Sequence, residues 1–155
     1  MRGLPACGKS YTARRLAGAT GVILEMDQYF YLQVGDDPAS YDYSEERLPA
    51  ARQWNFNRFR RAIAAGMGPI IVDRGNGLNE ETYQYARLAV ENGYRVEIQE
   101  PDSLWWQELR VLLKYQTHLN PAVLDHWAEV LEEKSRESHR VPRSTIRRWI
   151  TFGRT

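Results

Sequence analysis

The sequence predicts an α/β fold, a three-layer α/β/α sandwich on a mostly parallel sheet with a helical C-terminal region. Three observations predict it. Short apolar runs at 21–26, 69–73 and 94–100 alternate with stretches of helical periodicity. Acids stand at two of those runs' carboxyl ends, Asp27 closing the first and Asp73 ending the second. The chain also opens on Gly3-Leu-Pro-Ala-Cys-Gly-Lys-Ser10, a glycine-rich turn that leads straight into a helix.

Each element follows in order. Residues 10–18 form a helix stopped by Gly18, and Gly21-Val-Ile-Leu-Glu-Met26 reads as a buried strand. Residues 35–49, with Asp36-Asp-Pro38 and Tyr41-Asp-Tyr43, lack periodicity and predict a long surface loop. Trp54, Phe56, Phe59, Ile63 and Ala64 make one face of a helix over 50–65, ended by Gly66 and Gly68. Pro69-Ile-Ile-Val-Asp73 is a second strand. Asn79-Glu-Glu-Thr82 opens a helix that runs to Val90 and stops at Asn92-Gly93, and Tyr94–Glu100 alternates as a strand does. Helices follow over about 102–115, 121–138 and 142–152, two of them with proline at the start.

The length of 155 residues suits one domain with a single core, and there is no internal repeat or low-complexity segment. Apolar content of 43% and five tryptophans exclude general disorder. No run approaches the roughly 18–20 apolar residues of a membrane span, and no secretory signal precedes the glycine-rich turn. With Cys7 the single cysteine, no internal disulfide can form, so a reducing cytoplasm is the expected compartment. Net charge is only +1 but uneven. Between Lys134 and Thr155 stand seven basic residues and one acid, Glu137. Such a segment either meets phosphate or forms a solvated helix face.

The opening turn matches G-x-x-x-x-G-K-[ST], the phosphate-binding loop of P-loop proteins. Its glycines let backbone N–H groups turn inward around a triphosphate, its lysine reaches the β/γ-phosphates, and its hydroxyl serves Mg²⁺. Gly3, Pro5, Ala6, Cys7, Gly8, Lys9, Ser10 and Tyr11 are therefore the expected contacts to ATP or GTP. Cys7 within this loop is either a reactive thiol or a small residue at a variable position. In an open parallel sheet, ligands bind beyond the carboxyl ends of the strands. Asp73 stands where an acid holds the magnesium shell, together with Ser10, and Asp27 where a general base meets an acceptor hydroxyl. The alternative for each aspartate is a cap on a strand-to-helix turn. Tyr29 and Phe30 either stack on a substrate base or pack in the core.

The loop's context is unusual. Such a motif follows a buried parallel strand, and only Met1 and Arg2 precede Gly3. The expectation is that the first strand is missing, Met1 being an internal methionine or misassigned start with about five to eight apolar residues upstream.

Several motifs in order carry a resemblance: Arg2-Gly-Leu-Pro-x-x-Gly-Lys-Ser10, Asp27-x-Tyr-Phe30, Trp54-Asn-x-Asn57, Ile71-Val-Asp-x-x-Asn76, Gly93-Tyr-Arg-Val96, Glu100-Pro101, Trp105/Trp106 and Arg136-x-x-His-x-Val-Pro-x-x-x-Ile146. The chain resembles the P-loop polynucleotide 5′-hydroxyl kinase family, in particular the kinase-like domains of NEDD4-binding proteins and their bacterial and phage relatives. The resemblance implies ATP-dependent transfer to a nucleic-acid 5′ end. Lys9 and Ser10 would hold ATP and Mg²⁺, Asp27 would be the base, and Asp73, Asn76 and Tyr29 would serve the metal or substrate side. Arg136, on a basic lid spanning about 132–155, would clamp the phosphates with Arg140 or Arg143 beside it. Residues of about 107–131, with His118, Asn120 and His126, form a helical insertion relative to the family, and a metal role for those histidines is not expected. Met26 and Gln28 replace a small hydroxyl residue and an acid beside the base, and Arg74 replaces an asparagine. Two rival readings remain open. One is a small-molecule kinase such as the zeta-type toxins that phosphorylate a nucleotide sugar; the other is a nucleotide-binding module without catalysis. DNA against RNA, base preference and oligomeric state are not encoded in these motifs.

Overall fold

A computed structural model describes residues 1, 7–31, 44–73, 79–104, 106–109, 120–135, 143–144 and 146–147. The elements are α1 (Lys9–Ala17), β1 (Val22–Glu25), a 3₁₀ turn (Met26–Tyr31), a short 3₁₀ turn (Glu45–Arg47), α2 (Leu48–Ala64), β2 (Ile70–Asp73), α3 (Asn79–Glu91) and α4 (Pro121–Ser135).

β1 and β2 pair in parallel, with Val22 opposite Ile70 and Glu25 opposite Asp73. Side chains alternate along a strand, so this register sorts the residues onto two faces. Val22, Leu24, Ile70 and Val72 pack on Phe59, Ala62 and Ile63 of α2 and on Leu88 and Ala89 of α3. The other face carries Ile23, Glu25, Ile71 and Asp73, and there α1 lies, its Ser10 hydroxyl bonded to both carboxylates. The layers are therefore α1, sheet, then α2 with α3. Gly21 permits the close join between α1 and β1: its N–H donates to the Ala17 carbonyl at 2.8 Å, and a Cβ there would meet that same oxygen at 2.4 Å.

α2 begins two residues earlier than its periodicity predicts, at Leu48, because Pro49 fits the first helical turn, whose N–H groups lack helical partners anyway. Its face is also set differently. Phe59 and Ile63 are buried as expected, Ala64 is exposed, and Asn55 is buried at 1% exposure. The Asn55 amide donates to the Leu24 carbonyl and to the Tyr85 hydroxyl, both at a long 3.4 Å, tying α2 to the end of β1.

The strand expected over 94–100 does not form a ladder among the described residues. The segment runs without regular structure, with Val96 and Ile98 exposed. The ammonium of Met1 donates to the Val72 carbonyl at 2.8 Å. The described sheet is thus two-stranded, against the larger sheet the sequence predicts. Most of the long loop over 35–49 lies outside the described residues.

A second buried cluster joins the two ends of the chain. Cys7 packs with Trp106, Leu109, Trp127, Ala128, Leu131 and Ile146.

Candidate nucleotide and metal site

The site is assembled from the loop upward. Gly8 has φ of +91°, a left-handed conformation that a side chain would strain, and its carbonyl accepts the first α1 bond from the Thr12 N–H at 3.0 Å. α1 has no side-chain cap and no acid in its first turn, so its N-terminal N–H groups and positive dipole end remain suited to an anion. The loop is held from behind. Cys7 is inside the C-terminal cluster, and its carbonyl accepts a hydrogen bond from the Ser103 hydroxyl at 3.1 Å. Burial pushes the Cys7 thiol above its ordinary pKa, against the smaller opposing pull of Lys9. The packed alternative for Cys7 matches this environment.

Ser10 is the second residue of α1 and lies over the carboxyl ends of both strands. Its hydroxyl lies 3.0 Å from Glu25 Oε1 and 3.2 Å from Asp73 Oδ2. Asp73 is 4% exposed, and its other oxygen, Oδ1, is buried with no hydrogen-bond partner among the described residues. Burial raises the Asp73 pKa above the usual carboxylate value. The Lys9 and N-terminal charges and the Ser10 bond oppose the shift, while the Asp27 charge adds to it. Lys9 and Asp27 are therefore both within electrostatic reach of Asp73.

Asp27 lies in the 3₁₀ turn that follows β1, and α2 fixes that turn. The Tyr29 ring packs on Phe30 at 5.5 Å and on Trp54 at 5.7 Å. Arg58 covers Trp54 at 4.3 Å and donates to the Glu25 carbonyl at 3.4 Å. Phe30 is buried and Tyr29 half-buried, so both have packing partners in the protein itself.

The expected site residues divide into three groups. Lys9, Ser10, Asp27 and Asp73 converge at the strand mouths. Tyr11 is 63% exposed on the outer face of α1. Arg143 is turned onto α4, its Nε 2.7 Å from Glu132 Oε2. Gly3, Pro5, Ala6, Asn76, Arg136 and Arg140 lie outside the described residues. The sequence offers Asn55 only as a member of the Trp54-Asn-x-Asn57 motif, with no role, and no motif marks Glu25. The signal for Glu25 was there: it precedes Asp27 by two residues and ends the first strand as Asp73 ends the second.

Mg²⁺ prefers hard oxygen ligands near octahedral geometry. The Ser10 hydroxyl and the unpartnered Asp73 oxygen supply ligands of that kind, so the residues present fit such an ion. Among the described residues there is no cluster of three His, Cys, Asp or Glu side chains of metal-binding kind.

These features define a P-loop NTPase fold with a kinase-like nucleotide-binding site. The comparisons narrow the class. The model of the AAA_33 family, described as an AAA domain, matches residues 1–150, and the chain belongs to that family. It is 38% identical over 109 residues to NEDD4-binding protein 2 of Homo sapiens, an alignment covering 69% of this chain and 6% of that protein. The chain thus corresponds to a small part of that relative. No solved structure matches it. No helix among the described residues is long and apolar enough to cross a membrane.

Proposed function

We propose that the chain is an ATP-dependent kinase that transfers a phosphoryl group to the 5′-hydroxyl of a polynucleotide. The observation that carries this reading is the meeting of Lys9, Ser10, Asp27 and Asp73 at the carboxyl ends of two parallel strands. Phosphoryl transfer needs positioned charge more than covalent chemistry, and these residues divide that work.

The loop backbone and the α1 N-terminus orient the triphosphate, and Lys9 offsets charge on its outer phosphates. Ser10 and Asp73 would hold Mg²⁺, which when bound neutralises phosphate oxygens. Asp27 accepts the proton of the attacking hydroxyl. Its position one strand away from Asp73 separates the acceptor side from the metal side. The resemblance of Asp27-x-Tyr-Phe30 and the neighbouring motifs to polynucleotide kinases supports a nucleic-acid acceptor. The similarity to the NEDD4-binding protein supports the kinase-like class.

Transfer of labelled phosphate from ATP to a short 5′-hydroxyl oligonucleotide tests the reading. The expected result is labelling of the oligonucleotide and none of free sugars or nucleosides. Labelling of a sugar alone would move the assignment to a small-molecule kinase. ATP binding without transfer to any acceptor would leave a binding module. Asp27→Asn should reduce turnover by about 10²–10⁴-fold, the usual contribution of a general base, with ATP affinity largely kept.

A further inference from the structure

Glu25 is the feature of the site that the proposed reaction leaves unused. It ends β1 directly opposite Asp73, on the face that meets α1. Both carboxylates approach the same hydroxyl, at 3.0 and 3.2 Å. A serine hydroxyl has one proton to donate, so it cannot satisfy two carboxylates fully at once. The buried Asp73 Oδ1 has no hydrogen-bond partner among the described residues. Buried carboxylate oxygens left short of donors are costly, and a cation relieves that cost. The Lys9 charge acts on Asp73 and the Arg58 charge is felt by Glu25.

We propose that Glu25, Asp73 and Ser10 form a divalent-cation site that loads Mg²⁺ or Mn²⁺ before nucleotide arrives, with Glu25 as its second carboxylate. With one carboxylate and a hydroxyl, an ion is held mainly by the phosphates that bring it. A second carboxylate across the strand pair gives the nucleotide-free protein charge enough to retain the ion itself. The inference concerns the same site as the proposed kinase reading but rests on the meeting of Ser10, Glu25 and Asp73, not on the identity of the acceptor.

Mn²⁺ titrated into the nucleotide-free full chain, followed by the electron-paramagnetic-resonance signal of the unbound ion, is the direct test. One Mn²⁺ should bind per chain, and Glu25→Gln should weaken it by about tenfold or more, as losses of metal-site carboxylates do. Glutamine keeps a carbonyl that can accept from Ser10, so a purely structural Glu25 predicts unchanged Mn²⁺ affinity in this variant. Glu25→Asp, which keeps the charge, should bind more tightly than Glu25→Gln. Glu91→Gln removes an exposed carboxylate on α3 and should leave the affinity as it was. No Mn²⁺ binding without nucleotide, or equal affinity in wild type and Glu25→Gln, would overturn the inference. ATP titrated into the same samples reports separately. Mn²⁺ binding with no ATP binding would overturn the P-loop reading while leaving the cation site in place.

Discussion

The two buried clusters of this molecule do different work. The first, Leu24, Phe59, Ala62, Ile63 and Ala89 with their half-buried neighbours, draws entirely on residues between Val22 and Tyr94. It lies under the strands and so fixes where Glu25 and Asp73 end. The second joins Cys7 to Trp106, Leu109, Trp127, Ala128, Leu131 and Ile146, spanning nearly the whole chain. It holds Cys7 of the phosphate loop. The carboxylates are thus placed by local packing, whereas Cys7, beside the start of α1, is packed by residues between Trp106 and Ile146. A nucleotide site of this kind needs both, because Ser10 must lie over strand ends that a different cluster positions.

Core truncations separate the two with the largest effects. Phe59→Ala in the first cluster should cost about 3–5 kcal/mol, and Leu131→Ala in the second about 2–5 kcal/mol, measured by denaturant unfolding. The distinguishing readout is Cys7. Its thiol is buried and its pKa raised, and the thiolate is the reactive form, so alkylation of wild type should be slow at neutral pH and quicken as pH rises. Leu131→Ala should speed alkylation more than Phe59→Ala does at matched global stability. Equal acceleration would mean that the clusters open as one cooperative unit.

Asp73→Asn sharpens the comparison at the strand end that the first cluster positions under Ser10. Burial raises the Asp73 pKa, so the folded state holds that proton to higher pH than the unfolded chain does. Between the ordinary carboxylate value and the raised one, the native state binds more protons than the unfolded. Stability therefore falls as pH rises through that window, then levels. Asparagine removes the titration. In the absence of divalent ions, the variant should melt higher than wild type at neutral pH, lose the decline with rising pH, and gain nothing on adding Mn²⁺. A lower melting temperature at every pH would show that the Asp73 charge stabilises the fold.

What the sequence disclosed follows the same division. Strands ending in acids and a helix opening on Gly-Lys-Ser are local patterns, and β1, β2, α1, α2 and α3 stand within one or two residues of where those patterns put them. The alternation over 94–100 also looked local, but a strand exists only when a partner pairs with it, and no described residue does. Asn55 belongs to a recognisable motif, but its role is hidden because a polar residue in a helix gives no sign that it faces a strand carbonyl. Glu25 is hidden by its neighbour: Asp27 stands out as the acid after the strand, and only the register against Asp73 shows that the strand's last residue shares the site. The fixing of Cys7 by residues more than a hundred positions away has no periodic signature.

The C-terminal arginines give the smallest expected effect. Seven basic residues near the end of the chain suggest a phosphate-binding element. Two of the described arginines have other partners. Arg143 bonds Glu132 through its Nε at 2.7 Å and its backbone N–H at 3.3 Å, with Glu129 at 3.7 Å, and Arg147 lies 2.6 Å from Asp125. All three acids are on α4, so these contacts hold Arg143 and Arg147 against the helix that carries Trp127 and Leu131. Exposed pairs of this kind contribute little and are screened by salt. Arg143→Ala should therefore change ATP affinity by no more than about twofold, and raising the salt concentration should shrink even that difference. A loss of tenfold or more in ATP affinity, with unchanged melting temperature, would place Arg143 on the phosphates and make the α4 pairing a resting arrangement that nucleotide displaces.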